Sequence, residues 1–361
     1  MTSLGERFAA RATTGFDYAR LVLALAVVLW HTFPVTMSTE ALLPHVHEPI
    51  MVLVRVILPM FFALSGFLVS SSLERAPNLG VFLWHRVLRI FPALTVEVLL
   101  SALILGPLLT TVSLATYFTH REFFQYMVNI IGWIHFRLPG VFLDNPVSGI
   151  VNSSLWTVPS ELECYITISV LFLIGFTKRP KLLAATYILA VALLTWRQMA
   201  TGAPLWFNVD KFNLTLSFVA GMVVYRYRHA LPGGFAVAFA AFAVACLLLY
   251  FPNAQYVASF PAAYAIAAFG CNRMWRPKLL FGGDYSYGLY LYAYPIQQTV
   301  VHLIGPGKFF ETLGLSLLAM VCFAVFSWHV IEKRILVFKD AFPAIARWAR
   351  RPSLTRRTIP V

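Results

Sequence analysis

Residues Phe16–Val35 read FDYARLVLALAVVLWHTFPV, an apolar run that carries an arginine and a histidine. About 20 consecutive apolar residues suffice for a helix to cross the roughly 30 Å hydrocarbon core of a bilayer. Ionisable side chains inside such a segment are rare and face a protein interior or water when they occur. Eleven residues of helix advance about 16 Å and turn through about 1100°, three turns and a little more. Arg20 and His31 therefore fall on one helical face, the arginine near one membrane surface and the histidine past the middle.

The rest of the chain has the same character. Of 361 residues, 59% are hydrophobic and 12% are charged, against about 45–50% and about 25% in soluble domains. This composition excludes an ordinary soluble domain and predicts an all-α, polytopic membrane helix bundle. Apolar runs near 18–37, 50–70, 88–111, 154–175, 181–198, 212–228, 232–251, 254–271, 284–304 and 312–332 predict about ten transmembrane helices. The first run has no small-residue cleavage site and is expected to stay as a helix. The longest connection, 112–153, contains EFFQYMVNIIGWIHF and is expected to lie along the interface or to cover a cavity.

Net charge is +13. With the N-terminus in the cytoplasm, most lysines and arginines fall in cytoplasmic loops, as the positive-inside rule requires, so both termini are expected there. Residues 1–338 read as one membrane domain and 339–361 as a basic cytoplasmic tail, suited to anionic lipid rather than to nucleic acid. Cys164, Cys246, Cys271 and Cys322 all lie in apolar stretches and read as small core residues. No metal-ligand cluster is evident.

Further polar groups interrupt the apolar runs. Arg55 stands in MVLVRVILPMFFALSGFLVS, about 22 Å from the cytoplasmic end at helical rise and level with His31. Glu161, in NSSLWTVPSELECY, is expected about 10 Å below the outer surface, with Glu163 pointing elsewhere. Tyr294, Gln297 and Gln298 reach a similar depth in DYSYGLYLYAYPIQQ. Groups so costly in lipid should converge on a cavity; the alternative is a packing network with Arg55 paired to Glu161. Histidine exchanges protons near neutrality, and Glu161 is a carboxylate that would orient it. Ser65, before Gly66 in FFALSGFL, reads as a small-residue helix contact. The simplest chemistry is direct acyl transfer, in which His31 deprotonates a hydroxyl that attacks a thioester. Arg86 and Arg89 in WHRVLRIFP are neighbours on one helical face, and either clamp phosphates or mark topology. With Arg20 they would hold coenzyme A while its long arm reaches His31.

These motifs resemble the acyltransferase 3 family of integral-membrane acyltransferases that modify surface and secreted glycans. The resemblance runs from about Gly15 to about Phe338. It rests on Arg20 and His31 with ten residues between them, FFALSGFL at Phe61–Leu68, the pair Arg86 and Arg89, SLWTVPSELECY at Ser154–Tyr165, SYGLYLYAYPIQQ and SWHVIEKR. It implies His31 as catalytic base supported by Arg20 and Glu161, and donor binding by Arg86, Arg89 and Arg20. Arg55, Trp156, Tyr294 and Gln297 are the candidate acceptor-binding residues. Two departures stand out: a Glu-Leu-Glu segment replaces the usual adjacent acidic pair, and Tyr294 replaces a frequent histidine. The resulting expectation is an O-acyltransferase of the bacterial inner membrane, moving acetyl from acetyl-CoA to a hydroxyl of a surface glycan or its lipid-linked precursor, without a metal. A transporter of acyl groups or glycan is the alternative. No feature specifies an oligomeric state.

Overall fold

The computed structural model describes residues 2–10, 13–42, 44, 47–75, 78–202, 209–277 and 282–341. Among them every regular element is helical, and one isolated bridge joins Ser3 to Pro232. Ten principal helices follow the ten apolar runs. They are α1 (Gly15–Met37), α2 (Glu48–Arg75), α3 (Leu79–Leu109), α4 (Thr157–Leu173), α5 (Pro180–Thr201), α6 (Lys211–Arg226), α7 (Phe235–Leu249), α8 (Ser259–Gly270), α9 (Tyr285–Ile304) and α10 (Phe309–Lys339). Five of these, α1, α2, α3, α5 and α10, are long and apolar enough to cross a membrane. The remainder are shorter than their runs: α8 has 12 residues, about 18 Å of rise, because residues 252–258 before it form a short 3-10 helix and a turn.

The outer faces carry large apolar side chains such as Ile188 and Trp196 on α5 and Leu318 on α10. In lipid such faces need no protein partner, and packing rather than hydrophobic burial joins the helices. Cys322 belongs to the outer face of α10, which corrects its reading as a core residue; Cys164 and Cys271 are buried, and all four thiols are free. Of the basic tail, residues 342–361 lie outside the described residues.

Close backbone approach holds α2 to α6. A Cβ on Gly66 would run into the carbonyl of Phe218, and one on Gly221 into the carbonyl of Ala63. The small-residue contact read at Ser65 thus belongs to Gly66. Gly66→Ala and Gly221→Ala force the two backbones apart at a cost of about 1–3 kcal/mol. Each should lower the midpoint of thermal unfolding in detergent, and an unchanged midpoint would refute this packing.

Polar side chains stitch the region around the long connection. Pro295 has no N–H, so the carbonyl of Leu291 one turn earlier loses its helical donor. Asn152 supplies one instead: its Nδ2 donates to Leu291 O at 3.0 Å and to Glu97 Oε1 at 2.8 Å. Gln298 fastens the connection to α9 by donating to the carbonyls of Val147 and Ile150 at 2.8 and 2.7 Å, and its Oε1 accepts from Asn145. Val147 also lines a cavity, so part of the connection does cover one. Asn152→Ala leaves buried acceptors unsatisfied and should destabilise the fold by about 1–3 kcal/mol, measurable as a shift in unfolding temperature.

Candidate active site

Two of the cavities between the helices hold most of the candidate site residues. The inner one is walled by α1, α2, α3, α4, α6 and α9, and offers Arg20, Arg86, Arg89, Glu161 and Ser65 to its interior. Arg89 is held between two carboxylates, with Asp284 at 2.8 Å and Glu332 at 3.2 Å, and Asp284 also takes Arg20 at 3.2 Å. Four groups on α1, α3, α10 and the N-cap of α9 therefore form one chain of charge. Glu332 reaches it from a π-helical stretch, Ser327–Glu332, whose Ser327 hydroxyl donates to the same carboxylate at 3.0 Å. Arg86, one turn before Arg89, differs. It makes no ion pair among the described residues, and its guanidinium lies 5.6 Å from the Phe82 ring centroid and 5.8 Å from that of Tyr165.

The outer cavity, about 650 Å³, contains His31 among Trp30, Trp156, Tyr290 and Tyr294, with Asp210 and Lys211 as charged groups. The His31 ring meets Tyr294 edge to face, with centroids 5.2 Å apart. Its Nδ1 is buried without a hydrogen-bond partner, which leaves Nε2 as the nitrogen on the cavity side. Trp156 and Tyr294 share this space with His31. Gln297 does not: it is fully buried and ties α9 to α1, donating to Val28 O and Thr32 Oγ1, each at 2.8 Å.

The single polar belt expected across four helices is thus divided. Glu161 accepts the Tyr165 hydroxyl and lines the inner cavity, so it is not the partner that orients His31. The reason lies upstream. Asn152, Ser154 and Leu155 are already buried when α4 begins, so the helix starts inside the fold, and Glu161 one turn on lines the cavity of the arginines rather than that of His31. Glu163 is exposed, as its spacing predicts. Arg55 pairs with Glu48 at 3.0 Å and donates to Leu249 O at 3.3 Å, and lines neither cavity. Because α2 continues to Arg75, Arg55 stands about 30 Å from its inner end, near the outer rim. Asp284 and Glu332 join the arginines without any sequence motif that announces them; the available signal is two acids beside basic residues, Asp284 at the N-cap of α9 and Glu332 in SWHVIEKR near the end of α10. Among the described residues no three His, Cys, Asp or Glu side chains converge as metal ligands do.

Comparison with known proteins interprets this arrangement. The family model described as an acyltransferase domain, acyltransferase 3, matches residues 13–331. The chain belongs to the acyltransferase 3 family. It is similar to an "O-acetyl transferase" of Shigella phage Sf6, with 28% identity across 89% of this chain and 95% of the relative. It is also similar to "Nodulation protein 10" of Rhizobium leguminosarum bv. viciae, with 27% identity across 79% and 83%. No solved structure matches it. The protein is an acyltransferase with an integral-membrane, all-helical architecture. In an acyltransferase, a histidine nitrogen facing an open, aromatic-walled cavity suits the deprotonation of a hydroxyl. Clustered arginines suit an anionic co-substrate.

Proposed function

We propose that the protein transfers an acyl group, acetyl in the first instance, from acyl-CoA bound at the inner cavity to a sugar hydroxyl of a glycan or lipid-linked glycan in the outer cavity. The observation that supports this reading is the pairing of an arginine-lined cavity with a separate His31 cavity across a shared wall. Donor phosphates lie against Arg86, with Arg20 and Arg89 adding positive field. The acceptor hydroxyl gives its proton to His31 Nε2 while its oxygen bonds to the thioester carbonyl carbon. The carbon–sulfur bond then breaks, and the departing thiolate takes the proton back from the imidazolium, so the histidine is regenerated. Trp30, Trp156 and Tyr294 offer flat apolar faces to a sugar ring, and Asp210 and Lys211 offer hydrogen bonds to its hydroxyls. Arg55, at the outer rim beside Glu48, is assigned to acceptor entry.

This reading has the ten helices crossing or lining the bacterial inner membrane, both termini in the cytoplasm, and the arginine cluster on the cytoplasmic side where acyl-CoA is found. Residues 1–338 form the acyltransferase domain, and the basic tail rests on anionic inner-leaflet lipid. The test is transfer of label from acetyl-CoA to purified surface glycan in membranes that contain the protein. Label appearing in ester linkage supports the reading. Transport of acetyl-CoA or glycan without any ester product would overturn it in favour of a carrier.

A further inference from the structure

Leu58 and Tyr290 are the two described residues that line both cavities. We infer that they form a septum which the acyl group must enter, and that this septum sets the length of acyl chain the enzyme accepts. The inference rests on the proposed function, in which donor and acceptor approach from opposite cavities. The new bond joins an acceptor oxygen beside His31 to a carbonyl carbon whose coenzyme is held at the arginines. That carbon can meet both constraints only at the shared wall.

The wall is built to stay in place. Tyr290 shares a hydrogen bond with Thr157 Oγ1 at 2.7 Å and donates to Ser154 O at 3.0 Å, which anchors its ring to the start of α4. The ring is 6.1 Å from that of Phe61. Leu58 immediately precedes Pro59 within α2. The pyrrolidine ring of Pro59 crowds the backbone of the residue before it and so narrows the conformations open to Leu58. Both residues are half-buried although they stand inside the bundle, because each has open space on two sides.

The inner cavity is small, about 120 Å³ against about 650 Å³ for the outer one, so a donor arm seated there leaves little room beside it for an acyl chain. Carbons beyond the acyl carbonyl therefore have to fit between Leu58 and Tyr290. One methylene in a fitted apolar pocket changes selectivity by about 10- to 200-fold. Truncating Leu58 to alanine removes three carbons from the wall and should admit an acyl chain longer by a few carbons.

The experiment compares acetyl-, butyryl- and hexanoyl-CoA as donors to surface glycan for wild type, Leu58→Ala, Leu58→Phe and Tyr290→Phe, with CoA-dependent thermal stabilisation as the measure of folding and donor binding. Wild type should favour acetyl over butyryl by at least about tenfold. Leu58→Ala should reduce that ratio by at least about tenfold. Leu58→Phe should lose transfer while CoA still stabilises the protein, because the arm binds but the passage is filled. Tyr290→Phe keeps the ring and frees it from α4, so it should lower the ratio less than Leu58→Ala; should Leu58→Ala not fold, this variant and Leu58→Phe decide. A wild-type ratio in the truncated and freed variants, or full transfer by Leu58→Phe, overturns the septum and leaves the function standing. Failure of wild type with every acyl-CoA overturns the function itself, and the septum with it.

Discussion

Replacing His31 with alanine should reduce acyl transfer by about 10²- to 10⁴-fold, the usual contribution of a general base, and leave donor binding intact. The separation of the two cavities is what makes the second half of that result specific. His31 belongs to the outer cavity, while Arg20, Arg86 and Arg89 belong to the inner one. Loss of the imidazole removes no contact that the phosphates of a donor would make. The measurement is initial rate of ester formation together with CoA-dependent thermal stabilisation, in protein matched for folding. A variant that transfers at the wild-type rate would remove His31 from the chemistry. Equal loss of transfer and of CoA stabilisation would show that the cavities act as one donor site. His31→Gln is the informative companion, since it keeps a polar group of similar size that cannot take up a proton at neutral pH. It should be as inactive as the alanine variant.

The two arginines of the Arg-x-x-Arg motif should fail in different ways. Arg89 sits between Asp284 and Glu332, and Glu332 is only 3% exposed. Arg89→Ala leaves that carboxylate buried without its cation. Breaking a buried ion pair from one side costs about 3–5 kcal/mol, so the variant should express poorly and unfold at a markedly lower temperature. Arg86 holds no carboxylate among the described residues and contacts aromatic faces instead. Its charge is therefore available to a ligand at little expense to the fold. Arg86→Ala should remain folded and raise the KM for the acyl donor by about tenfold or more, the effect of losing a charge-assisted hydrogen bond of roughly 1.5–3 kcal/mol. Its kcat should change much less. Asp284→Asn provides an independent check, because it loosens both Arg20 and Arg89 and should destabilise the protein without mimicking the donor defect of Arg86→Ala. Identical stability and identical KM in the two arginine variants would refute this division.

Much of the molecule is legible in the residues themselves. Lipid is a solvent that penalises every unpaired backbone group, so a run such as 18–37 has one structural outcome, and each of the ten apolar runs does contain a helix. Helical periodicity likewise turns Arg20 and His31 into the bundle. The positions of Glu161 and Arg55 are not legible in this way, because a depth counted along a helix depends on where that helix begins and ends. Asn152, Ser154 and Leu155 are buried ahead of α4, so that helix starts inside the fold rather than at its surface, and the five extra residues of α2 beyond position 70 lengthen the distance from Arg55 to the far end of its helix.

By itself, the sequence determined the class of environment, the helices, the family motifs and the candidate base, because each of these depends on local composition or on spacing along one helix. Only the tertiary structure decided which charges meet. Arg89 is separated from Asp284 by 195 positions and from Glu332 by 243, and Arg20 from Asp284 by 264. Nor does any local pattern reveal that Leu58 and Tyr290, on α2 and α9, border the same two cavities. Such contacts are set by how helices pack against one another, and helical period carries no information about a partner hundreds of residues away.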